Sequence, residues 1–432
     1  MLESTQSHSF GAQNPRCLNS CAVDDPITGC GERRSQPRNC YIDRLPTEIL
    51  CAIFMMCGET DEIFFYPRYD FETRKPPPPV MPYSQAAVLL GYVCTRWFTA
   101  TRCYPRLWTM VDVSYPQSSD VALLGLCLRY SNGFPLVLRF NGRHYKPPRV
   151  RNTQAYPQFM RLVASAAHRW EEISFVVTAH PFEAFDGIKY LLELPPDAFS
   201  SLRRAMLHLC DDPQCASQLW TMFFESPVLH MAQWFGNRIQ IPSSTRLTHV
   251  AANFMPPEIV MDFLQSSPQL EVLRAIIHSD EAYFLGVNDG VCIHNMPVPI
   301  RMPNLRVLMM SGMYDWSNLL NGISVPLLTR LELGFAGMQV GMVEAMLQRS
   351  NARLVMLGIQ SIYIEDKDRS IALLGSALLQ SLSIFFYQRH GTHMDSDSPK
   401  YFDPIPFLPQ QLVLFTKDYT QADNMYWGMV DM

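Results

Sequence analysis

Leu328 to Phe335 reads LTRLELGF, and Leu305 to Gly312 reads LRVLMMSG. Each opens on leucine, sets an apolar residue three places later, and sets another two places after that. Each also follows a proline closely, Pro326 in one case and Pro303 in the other. Successive side chains of a strand point to opposite sides, so the spaced apolar residues share one face. The pattern recurs at Leu202 (LRRAMLHL), Leu247 (LTHVAANF), Leu270 (LEVLRAII), Leu354 (LVMLGIQS) and Leu379 (LQSLSIFF). Weaker relatives stand at Pro135 to Phe140 (PLVLRF) and Trp170 to Val177 (WEEISFVV). The clear copies begin 45, 23, 35, 23, 26 and 25 residues apart.

Leucine-rich repeats run about 20 to 29 residues, each a strand with a helical or irregular return. Four of the spacings agree with that. The two longer ones call for insertions, and the longest leaves room for a degenerate copy near Val228. One such unit cannot bury its own apolar side, whereas a stack can. The rival is an ordinary doubly wound α/β sheet, which also alternates helices with buried strands. A short leucine-led core in place of a continuous Val/Ile run favours the stack.

Composition narrows the classes. The 432 residues are 48% apolar and 17% charged, enough for a large core and too apolar for global disorder. The net charge is −5, and no basic block is present, so a nucleic-acid binder is not expected. There are 33 prolines and only 21 glycines, a chain punctuated by proline and poor in glycine-rich loops. The first residues lack an apolar core of the secretory type, so the expected compartment is cytoplasmic and/or nuclear. The longest uncharged stretch, Ser370 to Gln388, carries Ser376, Gln380, Ser381 and Ser383. It reads as a helix and a buried strand, not as a membrane span.

Upstream of the repeats the character changes twice. Residues 1–40 are polar and aperiodic and read as a disordered arm. From Tyr41 to Cys57, YIDRLPTEILCAIFMMC, a helix is expected, with Pro46 in its first turn and Glu48 near its positive end. Leu45, Ile49, Leu50, Ile53 and Phe54 share its apolar face. Residues 58–82 hold KPPPPVMP and read as an inserted loop. A second helix capped by Ser84 carries Ala86, Leu90, Val93, Cys94 and Trp97 on one stripe and ends before Pro105. Trp108 to Val113 reads as a short strand.

No catalytic constellation is found. The phosphate-loop, dinucleotide, nucleophile-elbow and zincin motifs are all missing. Gly334, Gly337 and Gly341 have the wrong spacing for a phosphate loop. His390, His393, Asp395 and Asp397 read as a solvated loop. Cys17, Cys21, Cys30 and Cys40 contain only one close pair and read as thiols, not zinc ligands. Most other cysteines, such as Cys51, Cys94, Cys127 and Cys292, lie in apolar runs. No catalytic residue, metal or cofactor is expected. A helical module followed by a repeat array is the pattern of a binding protein.

LPTEILCAIF at Leu45 to Phe54, followed by AAVLLGYVCTRWFTATRCYPRLW at Ala86 to Trp108, resembles an F-box. The family pattern is Leu-Pro-x-Glu-Leu/Ile-Leu-x-x-Ile-Phe, then Val-Cys-Arg/Lys-x-Trp, then a closing Pro-x-Leu-Trp. Thr95-Arg96 replaces the usual order at one step. The proline-rich insertion and degenerate repeats are similar to those of mushroom-type fungal F-box proteins. The implied architecture is α/β: an F-box-like domain at 41–113, then a leucine-rich-repeat-like solenoid at 114–432.

The resemblance implies a non-enzymatic substrate receptor of an SCF-type ubiquitin ligase, docked on the Skp adaptor and through it on a cullin. Leu45, Pro46, Ile49, Leu50 and Phe54 would face the adaptor, with Val93, Cys94 and Trp97 as a second patch. Of these, Leu45, Pro46, Leu50 and Val93 lean to the adaptor, and Trp97 and Trp108 to the interior. The substrate, an unidentified protein, would meet the outward strand positions His208, Arg274, Ile276, His278, Met309, Glu332, Gln360, Phe385 and Tyr387. Alternation turns several of Arg203, Arg204, Arg274, Arg306 and Arg330 away from that face, which disfavours phosphate reading. The competing readings are a repeat scaffold outside the ligase and an α/β enzyme with an unrecognised site.

Overall fold

The computed structural model describes residues 41–57, 83–113, 116–142, 154–177, 181–209, 213–235, 242, 246–255, 257–277, 299–311, 316–334, 339–359, 367–390, 403–408 and 412–419. The arm, its four cysteines, the proline-rich insertion, Gly337, His278, Gln360, His393, Asp395 and Asp397 lie outside them. Two compact units are present, Met1–Leu45 and Pro46–Met432. In the first, the described residues form a 3-10 turn, Tyr41–Arg44, and Leu45 donates its N–H to the Ile42 carbonyl at 3.3 Å.

The second unit is α/β. Its strands are Met110–Val113 (β1), Leu136–Gly142 (β2), Trp170–Val177 (β3), Arg204–Leu209 (β4), Met231–Phe235 (β5), His249–Met255 (β6), Val272–Ile277 (β7), Ile300–Arg301 (β8), Val307–Ser311 (β9), Ile323–Ser324 (β10), Arg330–Gly334 (β11), Met356–Ile359 (β12), Ile384–His390 (β13) and Val413–Tyr419 (β14). Strands β8 and β10 pair with each other, and the other twelve form one open parallel sheet. Strand order in that sheet is sequence order throughout. A doubly wound sheet reverses its order at a switch point; this one grows in a single direction.

Register explains the leucine pattern. Val111, Leu138, Ile173, Ala205, Ala232, Val250, Leu273, Leu308, Leu331, Leu357 and Phe385 stand side by side on eleven strands. All are buried, and so are the lead residues Leu202, Leu247, Leu270, Leu305, Leu328 and Leu354. The copy sought near Val228 is β5, led by the buried Leu229. A bulge between Leu136 and Val137 sets Leu136 opposite Trp170, which repairs the shorter spacing in β2.

One repeat is misaligned in the sequence reading. The last clear copy is anchored by Leu382, not Leu379, because Phe385 pairs with Leu357 and Tyr387 with Ile359. Phe385 and Tyr387 therefore belong to the buried leucine face. Two apolar registers three residues apart, LQSL and LSIF, both satisfy the motif, and only the pairing partner decides between them.

Helices return the chain from strand to strand. They include Ser118–Tyr130 (α4), Ala155–Ser165 (α5), Pro181–Leu192 (α6), Pro213–Phe224 (α7) and Pro257–Ser266 (α8). They lie on the leucine face: Tyr156 of α5 meets Phe140 of β2 at 5.7 Å, and Trp220 of α7 meets Trp234 of β5 at 5.8 Å between ring centroids. The segment weighed as a membrane span is the helix Lys367–Leu374, a 3-10 turn Ala377–Leu379 and β13. Among the described residues, no helix is long and apolar enough to cross a membrane.

Three helices precede β1, at Thr47–Cys57, Tyr83–Gly91 and Thr95–Cys103. They join the sheet as the later helices do. Trp108 donates its indole N–H to the Thr101 carbonyl at 2.7 Å, and Trp170 donates to Val163 at 2.9 Å, each seven residues back. The sequence implied one continuous helix from Ser84 to before Pro105. Instead the chain breaks after Gly91, a poor helix former. Tyr92 and Val93 close the turn on the Leu89 and Leu90 carbonyls, and extended Cys94 restarts the helix.

Candidate functional site

The break after Gly91 creates the first surface. Tyr92 and Val93 leave the helical stripe and stand 82% and 59% exposed. Near them in sequence, Leu89 is 53% and Phe98 42% exposed; on the preceding helix, Ile49 is 49% and Met56 83% exposed. Of the thirteen large apolar side chains exposed among the described residues, six fall on these three short helices and the turn between the second and third.

The opposite sides of the same helices are committed inward. Leu50 and Phe54, expected at the adaptor, are 0% exposed. Phe54 packs on Trp97 at 4.9 Å between ring centroids, and the Cys51 thiol points to the Ala100 carbonyl at 3.9 Å. Burial is the main cause that holds the Cys51 thiol above its ordinary pKa. Three short amphipathic helices must bury one face against each other, and the positions of Thr47–Cys57 that do so include Leu50 and Phe54. The offered residues are the intervening ones. Pro46, Ile49, Val93 and Cys94 are exposed, Trp97 is half-buried against Phe54, and Trp108 is interior. Leu45, the last residue of the other unit, is half-buried.

The second surface is the sheet face opposite the leucines. Asp112, Arg139, Ser174, Met206, Gln233, Ala251, Arg274, Met309, Glu332, Gly358 and Phe386 run across it in register. His208 and Ile276 project on the same side. Arg204 and Arg330 stand one row nearer the strand starts, on the same side. Four arginines therefore share this face; of the five weighed from the sequence, Arg204, Arg274 and Arg330 are on it, and Arg203 and Arg306 precede their strands.

The expected contact residues on this face are not solvent-facing. His208, Arg274, Met309 and Glu332 are all buried. Glu332 accepts from Arg330 Nε at 2.6 Å and lies over Gly358, where a Cβ would come within 2.7 Å of its Cγ. Glu172 lies 3.7 Å from Arg139 and 3.5 Å from Arg204. Burial raises the Glu332 carboxyl above the ordinary range, against the pull of Arg330 and Arg274. Burial likewise raises Glu172 against Arg139 and Arg204, and Asp112 against Arg139. Charges here neutralise one another, across strands around Glu172 and within β11 at Glu332. They form no group able to hold a metal: among the described residues, no three His, Cys, Asp or Glu converge in that way.

No protein-family model matches the chain, and no match is found among curated proteins. Function is therefore argued from the two surfaces. Sequence reasoning missed Met56, Leu89, Tyr92 and Phe98. The signal was present in Gly91 followed by Tyr92-Val93, a helix breaker between two apolar stripes.

Proposed function

We propose that the chain is a non-enzymatic substrate receptor of an SCF-type ubiquitin ligase, with an F-box at its front and leucine-rich-repeat-like units behind. The observation that carries this reading is the exposed apolar surface of the three front helices. It falls on and beside the segments whose sequence resembles an F-box: Ile49 in the first, with Met56 two residues beyond that segment, and Leu89, Tyr92, Val93 and Phe98 in the second. The adaptor would cover these residues, with Leu50 and Phe54 supporting them from beneath. A one-directional parallel stack behind supports the reading further, because such arrays present extended surfaces to other proteins.

The test is co-expression of the full chain with a Skp adaptor, followed by size-exclusion chromatography with light scattering. A one-to-one complex is expected. Ile49→Asp with Val93→Asp should abolish it while leaving the melting temperature near that of wild type. A soluble, monomeric wild-type chain indifferent to the adaptor overturns the proposal.

A further inference from the structure

The parallel sheet sets all its strand starts along one rim. That rim is itself continuous. Backbone N–H groups donate in series along it, from Thr248 to His230, Glu271 to Thr248, Arg306 to Glu271, Thr329 to Arg306, Val355 to Thr329 and Ser383 to Val355, each at 2.8–2.9 Å. Unlike the buried mid-strand positions, this line reaches solvent.

Its charge opposes that of the chain. The described residues leading directly into β6, β7, β9, β11 and β12 hold Arg246, Arg306 and Arg353 against one acid, Glu271, with Arg301 on β8 shortly before β9, whereas the whole chain is net −5. The neighbouring Arg330, first residue of β11, and Arg349, in the helix before β12, are engaged in the fold, Arg330 with Glu332 and Arg349 with the Leu320 and Ile323 carbonyls. Arg246, Arg301, Arg306 and Arg353 are exposed. Apolar side chains stand among them, with Leu327 and Val355 half exposed.

We propose that this rim, from β6 to β12, is where the substrate docks, and that it takes an extended acidic protein segment with apolar residues among its carboxylates. The proposal rests on the receptor reading above and names its substrate class. Charge complementarity selects an acidic partner. Leu327 and Val355 select a peptide over a nucleic acid, whose backbone offers dense phosphate and no apolar partner for them. Arg246, Arg306 and Arg353 belong to every second strand, about 10 Å apart at a strand spacing of roughly 4.8 Å. An extended chain covers that distance in about three residues, so carboxylates two to four positions apart meet successive arginines.

Fluorescence anisotropy on the full chain tests this with a labelled Glu-Leu-Glu repeat peptide, its Lys-Leu-Lys counterpart and an oligothymidylate of equal length. The acidic peptide should bind saturably, more weakly as salt rises, and the basic one should not. Arg306→Glu with Arg353→Glu should weaken binding about tenfold at unchanged melting temperature. Leu327→Ser should weaken it without altering the salt dependence. Failure of the acidic peptide to bind, equal binding by the arginine variant, or tighter binding of oligothymidylate overturns the proposal. Adaptor binding, measured on the same samples, separates the two readings. Peptide binding without adaptor binding keeps the rim and removes the ligase. Adaptor binding without peptide binding does the reverse.

Discussion

Glu332 shows how a residue that reads as a contact in sequence becomes part of the fold. Alternation places it correctly, opposite Met309 and Gly358 and away from the leucines. Alternation gives the side of the sheet, not the depth. Gly358 leaves the space, Arg330 supplies the charge, and the carboxylate lies down across the neighbouring strand. Gly358→Val would force Glu332 aside and should cost about 1–3 kcal/mol, read from chemical denaturation. The same burial makes a pH prediction. A carboxyl whose folded pKa is raised holds its proton longer in the folded state, so its contribution to stability falls as pH rises above the ordinary value of 4.5 toward the raised one. His249, whose pKa burial lowers, acts in the opposite sense below 6.5, and comparison with a variant cancels it. Glu332→Gln should therefore lose less stability than wild type as pH climbs from about 4.5 toward neutrality. Parallel melting curves for the two proteins across that range would contradict this. Phe385 and Tyr387 failed for another reason: an apolar run of two competing registers does not reveal which of its residues pair inward.

At the scale of elements, the front helices were legible as helices but not in their faces. Periodicity marks a broad apolar stripe without saying which part of it meets the neighbouring helix and which part is left over. Leu50 and Ile49 are adjacent in sequence and have opposite fates. Leu50→Asp buries a charge among Phe54 and its neighbours, and should unfold the module with a loss of about 3 kcal/mol or more. Val93→Asp should stay within about 0.5 kcal/mol of wild type, since the side chain is largely in solvent. Thermal melts followed by circular dichroism distinguish the two. Equal destabilisation would mean that the exposed face is not spare surface. The helix break after Gly91 was written in the sequence as Gly-Tyr-Val and was overridden by a stripe that ran smoothly across it.

At the scale of the whole molecule, the one-directional stack was the most legible feature, because each copy repeats the same physical requirement. Eleven strands place their inward residue in one row, and even the degenerate copy at β5 conforms. What the sequence did not supply was which surface stays open, since most outward strand positions are buried and rim residues such as Arg306 and Val355 occupy the unpatterned second position of their repeat copies. A stack shares its core between neighbours, so Leu308→Ala in its middle should cost about 2–5 kcal/mol and lower the melting temperature of the whole array. The account's central claim is that the three front helices keep an apolar face for the adaptor. Hydrogen–deuterium exchange of the full chain with and without a Skp adaptor tests it most directly. The account predicts new protection in Thr47–Cys57 and across Leu89 to Phe98, with the strands from β9 to β13 unchanged. Protection confined to the strands, or none in the front helices, would contradict it.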